Sequence, residues 1–215
     1  MVEDPLSGLG LRPVCITDQT TFDRFFRSVP NPLSDYTFSQ LFAWSNSLHL
    51  GWRVIRSHLC IFANGCGDLT MLLPPIGDGD PTAALRECFE LMDDYNARAG
   101  MPGHSRVEYT SDEILSRIGG LSIDSRPLSI DYVYDVNRMI DLAGGDLASK
   151  RQAKNRFLRN YRSRTELYDP SRHLDGCLQL LAEWKQHQDE HHAADPSTNA
   201  IKRQKESLAA EHAVR

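Results

Sequence analysis

The chain has 215 residues, of which 40% are hydrophobic and 25% are charged, and this ordinary globular composition excludes a fibrous or a disordered protein. The net charge at pH 7 is −5, and no run of about 18 apolar residues occurs, which argues against a protein that coats nucleic acid over its whole surface and against a bilayer-spanning helix. Five scattered cysteines without a Cys-x-x-Cys pair, and an acidic amino terminus without an apolar signal core, predict reduced thiols and a cytoplasmic protein.

Helices and short strands alternate in the first 125 residues. Helices are predicted where apolar residues recur at helical spacing, at 20–28, 36–47, 82–99 and 112–118. Strands are predicted where short β-rich runs are bounded by turn residues, at 13–16, 52–56, 59–63, 69–73, 105–109 and 121–124. The three middle runs form an antiparallel meander, and Thr17-Asp18 is a plausible cap for the first helix. This mixed α+β layer is long enough to close a core by itself.

The second half of the chain is predicted to be mostly helical. One strand is expected at 130–136, where apolar and acidic residues alternate. Helices are expected at 137–143, 147–164, 171–192 and 198–213. The last helical stretch, 199–215, has few apolar residues, so we expect it to fray or to pack onto something outside this chain, and the second half to be incomplete.

The charge is distributed unevenly between these two halves. Residues 1–145 contain 11 Lys and Arg against 19 Asp and Glu, a net charge of −8, whereas residues 146–215 contain 13 against 10, a net charge of +3. An anionic partner is therefore expected to bind the C-terminal third.

The most distinctive segment is KRQAKNRFLRNYRSR at 150–164. It has seven basic residues and no acidic one, and Phe157 and Tyr161 lie four residues apart. Basic side chains beside aromatic rings suit a phosphate-rich partner such as tRNA, a nucleotide cofactor or an anionic lipid headgroup. A core helix with a solvated basic face is the alternative interpretation.

Other motifs argue mostly against familiar catalytic sites. His187 to His191 match the His-x-x-Glu-His zinc motif, but the polar flanks and the lack of a third ligand favour a solvent-facing helix end, and no metal site is predicted. The chain has no Gly-x-Gly-x-x-Gly, P-loop or Gly-x-Ser-x-Gly motif, which argues against the sites that those motifs build. Cys66, between two glycines, is predicted to lie in a hairpin turn.

Three segments together resemble one protein family. They are PLSDYTFSQLFAW at 32–44, LLPPIG at 72–77 and IDYVYDVNRMIDLAGGDLASKRQAKNRF at 130–157. The chain is thus similar to a bacterial branch of the family named for the C-terminal domain of phosphatidylglycerol lysyltransferase. DYVY at 131–134, followed by the basic run, is the most specific part of the resemblance.

The resemblance implies a fold and an activity. The implied fold is α+β, with two tandem acyl-CoA N-acyltransferase-like domains of the Gcn5-related type, mixed sheets with flanking helices. Residues 1–125 would be the first domain and 126–215 the start of an incomplete second domain. The implied activity is transfer of an acyl or aminoacyl group, from acyl-CoA or aminoacyl-tRNA, to a lipid or amine acceptor. The residues implied to bind the donor phosphates are Lys150, Arg151, Lys154, Asn155 and Arg156.

The residues themselves leave several questions open. No Gln/Arg-x-x-Gly-x-Gly/Ala loop occurs, which argues against plain acetyl-CoA as the donor. Four residues are candidates for proton transfer, each with a structural role as the alternative, and no catalytic residue is assigned: Asp131, Tyr132, Tyr134 and His104. A non-catalytic RNA- or anion-binding module and an inactive truncated remnant are the two competing hypotheses.

Overall fold

The protein combines helices with one small antiparallel sheet, as a computed structural model of the chain describes for residues 6–29, 31, 33–118, 123–128, 130–192 and 199–215. The α+β class is therefore confirmed. The strands are β1 Arg12–Pro13, β2 Gly51–Ile55, β3 His58–Ala63 and β4 Thr70–Met71. The α-helices are α1 Gln19–Ser28, α2 Phe38–Ser45, α3 Thr82–Arg98, α4 Asp112–Arg117, α5 Val136–Asp141, α6 Ala148–Asn160, α7 Pro170–His192 and α8 Asn199–Val214. Short 3₁₀ turns precede α1 and α2.

The four strands pair in the order β1-β2-β3-β4, and every pairing is antiparallel. The meander predicted from residues 52–73 is confirmed. Arg56 and Ser57 connect β2 to β3, and both have positive φ, 46° and 68°. Tight two-residue hairpins of the primed type need such backbone geometry, because it matches the twist of the flanking strands.

Strand β3 is the centre of the core because both of its faces are covered. Leu59, Ile61 and Ala63 pack among residues of α1, α2 and α4. Cys60 and Phe62 point to the other side, where they pack among residues of α3. All six residues of β3 are buried, so the sheet is the middle layer between two helical layers.

A buried side chain attaches α3 to the sheet. Asn96 is fully buried, and its Oδ1 accepts a hydrogen bond from the backbone nitrogen of Leu69 at 2.7 Å. Its Nδ2 donates to the Leu69 carbonyl at 2.9 Å and to the Ser105 hydroxyl at 3.1 Å. The Asn96 amide thus pairs with both the N–H and the C=O of Leu69, as the backbone of a neighbouring strand would. Leu69 is the residue directly before β4.

The C-terminal helix packs against the first half of the chain. His212 of α8 stacks on Phe42 of α2, with ring centroids 4.5 Å apart. Its Nε2 lies 3.3 Å from Ser45 Oγ and its Nδ1 lies 3.0 Å from Asn46 Nδ2. Because Ser45 Oγ already donates to the Phe42 carbonyl, a neutral ring with its hydrogen on Nε2 satisfies both contacts.

A second attachment of α8 is at the turn that follows β3. The Lys205 ammonium donates to the Gly65 carbonyl at 2.8 Å and lies 3.4 Å from Cys66 Sγ. The expectation that the last helix frays, or packs only outside this chain, is therefore wrong. Its few apolar residues suffice because polar contacts to α2 and to the turn supplement the burial of Ala209.

The strand predicted at 130–136 is wrong. Residues 130–135 belong to no strand, and Val136 begins α5. Ile130 and Tyr132 are 86% and 82% exposed, and Asp135 accepts a hydrogen bond from Arg138 N as the N-cap of α5. An alternating sequence becomes a strand only where another strand pairs with it, and no described strand reaches this segment.

Two other predicted strands differ from the structure. Residues 121–122 lie outside the described part of the chain, and 123–124 are in no strand. In the segment 105–109, only Val107 pairs, in a single parallel bridge with Met71. The predicted helix at 147–164 is shorter in the structure, because Tyr161 is already extended.

Asp18 is the N-cap residue of α1, as predicted, but its side chain makes no capping hydrogen bond. It is buried, and it accepts hydrogen bonds from the Trp52 indole at 3.0 Å and from the Cys15 backbone nitrogen at 2.9 Å. A buried carboxylate has lost its contact with water and therefore needs hydrogen-bond donors of this kind. A carboxylate at an exposed helix end stays hydrated and does not need them.

We predict that Asn96→Ala destabilises the protein by about 3 kcal/mol, because it leaves the buried N–H and C=O of Leu69 without partners. Chemical denaturation measures this change. Asp93→Ala, at an exposed position of the same helix, is the matched control and should change stability by less than about 0.5 kcal/mol. Equal effects of the two substitutions would contradict the role of Asn96.

We predict that His212→Ala releases α8 from α2 without unfolding the sheet. Hydrogen exchange of the α8 amides should accelerate about tenfold, while the β3 amides keep their protection. Lys202→Ala removes only a surface ion pair with Glu206 and serves as the control. Unchanged exchange in α8 of His212→Ala would show that this contact does not hold the helix.

Candidate functional site

The basic surface predicted from the sequence is the exposed helix α6 and the residues that follow it. No side chain of α6 is buried, so the alternative interpretation as a core helix is wrong. In the described part of the chain, the side chains of five cations of this segment form no hydrogen bond or ion pair with another residue: Lys150, Lys154, Arg156, Arg159 and Arg162. Uncompensated cations along one helix create a positive potential that attracts phosphate.

Arg151 is the predicted site residue that the structure uses differently. Its guanidinium donates to the carbonyl of Leu142 and, at 2.9 Å, to that of Gly144. Leu142 ends α5 in the left-handed conformation, with φ 51°. Arg151 therefore ties α6 to the turn that precedes it, and its donors are partly occupied by protein.

Aromatic and polar side chains complete the α6 surface. Phe157 and Tyr161 lie with ring centroids 5.1 Å apart, both about half exposed or more. Asn155 lines an open depression of about 410 Å³ together with Gln152, Leu158 and Arg159. Adjacent rings and cations of this kind suit the stacking of a nucleobase beside its phosphates.

The proton-transfer candidates lie in different surroundings. His104 Nδ1 lies 3.7 Å from Asp68 Oδ2, at the edge of an ion cluster in which Arg106 contacts Asp68 at 2.6 Å and Glu108 at 2.9 Å. Burial would raise the pKa of Asp68, but its hydrogen bond to Arg106 and the charge of Arg106 lower that pKa overall. This cluster joins the turn before β4 to residues 104–108 and has the character of a structural ion pair.

A second acidic cluster was not anticipated from the sequence. Burial raises the pKa of the half-buried Asp35 carboxyl, and the charge of Asp131 acts in the same direction. Burial also raises the pKa of Tyr36 and of Tyr109, and the Tyr36 hydroxyl donates to the Tyr109 carbonyl at 3.2 Å. A carboxyl in this setting holds its proton at a higher pH than an exposed aspartate does.

Asp131 is exposed but lies near Asp35 of the first half of the chain. Tyr132 and Tyr134 are also exposed, and their rings stack with centroids 6.4 Å apart. The structure does not gather the four candidates into one site. Asp35 was not singled out from the sequence, because its surroundings include groups distant in the chain, such as Asp131.

The zinc-like motif gains no support from the described residues. Among the described residues, no group of three or more His, Cys, Asp and Glu side chains is placed to hold a metal. The side chain of His191 lies outside the described part. None of the described helices has both the length and the apolar character that crossing a membrane requires.

Comparison with protein families decides what this chain is related to. The sequence profile of the family described as phosphatidylglycerol lysyltransferase, C-terminal, matches residues 26–211. The chain belongs to this family. The match extends from the end of α1 into α8 and includes the whole basic segment 150–164. The resemblance to this family is therefore confirmed, and the bacterial branch stays a prediction.

Comparisons with solved structures and with curated proteins give less information than the family match does. A conserved protein of unknown function from Bacteroides thetaiotaomicron is similar in structure, with a TM-score of 0.71 and 20% sequence identity. The similarity covers 95% of this chain and 68% of that one. At this identity the likeness concerns the fold alone. The search of curated proteins gives no match.

We predict that Arg106→Gln destabilises the protein by about 1–2 kcal/mol at pH 7, because Asp68 is 92% buried and keeps its charge without its partner. Because Arg106 is 44% exposed, solvent screens its interaction with Asp68 and keeps the expected destabilisation this small.

The destabilisation should shrink at acid pH. Because the folded-state pKa of Asp68 is lowered, the pair stabilises the protein above the unfolded-state pKa of about 3.9, and this contribution is lost as the pH falls through the folded-state value. Denaturant unfolding of both proteins at pH 7 and below about pH 3 measures the difference. A constant difference across this range would contradict the proposed role of the charge.

Proposed function

We propose that this family member transfers an acyl or aminoacyl group to a lipid or amine acceptor, with the α6 surface holding the phosphates of the donor. The observation that carries the proposal is the set of five uncompensated cations on α6 and the residues after it, in a chain whose family is described by a lysyltransferase. In such a reaction the acceptor nucleophile attacks the carbonyl carbon of the donor, the donor oxygen or sulfur leaves, and the acceptor proton goes to a base. The protein contributes mainly by positioning the two substrates.

Aminoacyl-tRNA is the donor that we favour. Helix α6 has 13 residues and is therefore about 20 Å long, and the free cations extend beyond its end to Arg162. One pyrophosphate, as in an acyl-CoA, occupies only a small part of that length, whereas a tRNA backbone can follow it. Exposed rings beside the cations would add base stacking. A tRNA donor would also suit a cytoplasmic location.

We also propose that residues 1–125 and 126–215 correspond to a first acyltransferase-like domain of the Gcn5-related type and to the start of a second. Two features favour this division. The sheet and both core clusters lie within residues 6–114, and the segment that begins at 130 is extended and exposed. An exposed alternating segment can accept a neighbouring strand, which would supply the pairing that residues 130–135 do not find among the described strands.

A non-catalytic phosphate-binding module is the second candidate. It is favoured by the same cations together with the dispersion of the proton-transfer candidates over separate clusters. Binding to tRNA without aminoacyl transfer would support it. A remnant that neither binds nor transfers would instead show unprotected amides across α7 and α8 in hydrogen exchange.

We predict that Lys150→Glu combined with Lys154→Glu weakens tRNA binding more than about tenfold and makes it less dependent on salt, because each lost phosphate contact reduces counterion release. Filter binding over a salt series measures this, and transfer from aminoacyl-tRNA to phosphatidylglycerol vesicles is assayed in parallel. Lys185→Glu, on the exposed part of α7, is the matched control.

Arg151→Ala should behave differently from the double variant. Because Arg151 contacts two backbone carbonyls, its loss should lower thermal stability as well as binding. If the double variant binds tRNA as the native protein does, the α6 surface is not the donor site and the proposal fails.

A further inference from the structure

A groove between α1 and α2 has the features of a binding site that the proposed transfer does not use. Its volume is about 470 Å³, and it is open to solvent. One wall is the face of α1 that carries Gln19, Asp23, Phe26 and Arg27. The opposite wall is formed by residues before and at the start of α2, namely Asn31, Tyr36, Thr37, Phe38 and Ser39.

The floor of the groove is aromatic and preformed. Phe26 packs edge-on against Tyr36, with ring centroids 6.3 Å apart. Tyr36 and Phe38 are buried, and Phe26 is half-buried, so it still offers ring surface to the groove. Contacts of these rings with Phe22 and Phe42 hold them in place. The floor therefore offers an apolar contact area that needs no rearrangement.

Two opposite charges stand above this floor without being paired. Asp23 and Arg27 are four residues apart on α1, the spacing at which an acid and a base on a helix normally meet. Among the described residues, neither forms an ion pair or a side-chain hydrogen bond with another residue. Arg24, the neighbouring cation of the same helix, is instead occupied over the ring of Phe25.

We infer that this groove binds a free α-amino acid with an apolar or aromatic side chain. Its ammonium would face Asp23, its carboxylate would face Arg27, and its side chain would lie against Phe26 and the buried rings. The two groups of an α-amino acid are separated by one carbon atom, so a single ligand can bridge charges that are one helical turn apart. Charge-assisted contacts of this kind are directional and discriminate against ligands that lack one charge.

The ligand class differs from the donor of the proposed transfer. In an aminoacyl ester the carboxyl group is uncharged, so the ester would leave Arg27 without an anion. A site that requires both charges recognises the free amino acid and rejects the esterified one. The inference therefore does not rest on the transferase proposal, and each can fail without the other.

The test uses the full chain, labelled with ¹⁵N, and L-phenylalanine as the probe. Saturable shifts at millimolar ligand should be centred on the backbone amides of Gln19, Asn31 and Ser39. N-acetyl-L-phenylalanine lacks the ammonium charge and L-phenylalanine methyl ester lacks the carboxylate charge. Each should bind at least about tenfold more weakly than L-phenylalanine.

Two variants and one control assign the charges. Asp23→Asn should abolish the preference for L-phenylalanine over its N-acetyl derivative, and Arg27→Gln should abolish the preference over the methyl ester. Arg24→Gln is matched to Arg27→Gln in helix and chemistry but lies outside the groove, and it should bind as the native chain does. The dispersed spectrum of each variant shows whether it is folded.

Three results would overturn the inference: no saturable shifts with L-phenylalanine, equal binding of the methyl ester, or equal loss in Arg24→Gln and Arg27→Gln. Equal binding of the ester would reassign the groove to the aminoacyl group of a donor. Loss of tRNA binding in the α6 variants with intact amino-acid binding would leave this inference standing and concern only the proposed transfer.

Discussion

Strand β3 is covered on both faces, and the arrangement of the first half of the chain follows from that burial. A strand with Leu59 and Ile61 on one side and Phe62 on the other must have an apolar layer on each side of the sheet. Helices α1 and α2 supply one layer, and α3 supplies the other. The hairpin turn after β2 and the hydrogen bonds of Asn96 to Leu69 then fix the register of a sheet whose outer strands have only two residues each.

The contrast between the two halves has a physical origin. The first half contains both core clusters, whereas residues 123–128 and 130–168 lie mostly at the surface, including large apolar side chains such as those of Ile130 and Leu167. Helix α8 links the halves, because the His212 imidazole contacts Asn46 at the end of α2 and the Lys205 ammonium donates to the Gly65 carbonyl in the turn after β3. A helix with few apolar residues can thus be held by polar contacts, provided that their partners are already fixed by a rigid core.

In the described structure, the free basic side chains of α6 are exposed, whereas the buried carboxylates Asp18 and Asp68 are paired. The basic side chains of α6 remain free because the segment contains no acid, and the nearest turn occupies only Arg151. In the first half, by contrast, buried carboxylates find donors: Asp18 has the Trp52 indole and Asp68 has Arg106. Dehydrated acids need such partners, whereas solvated cations do not. An anionic ligand would therefore meet no competing protein group on most of α6.

The sequence alone determined the α+β class, the family, the meander and most helices, because these depend on local periodicity, turn residues and contiguous motifs. It also located the basic surface, since a run of cations without acids is exposed in almost any fold. Tertiary structure decided what depends on distant partners. The segment 130–136 has the pattern of a strand but no described strand pairs with it, and the Asp18 carboxylate bonds to the Trp52 indole instead of capping α1. The groove between α1 and α2, the docking of α8 and the burial of Asp35 arise only when segments far apart in sequence meet, so no local pattern could reveal them.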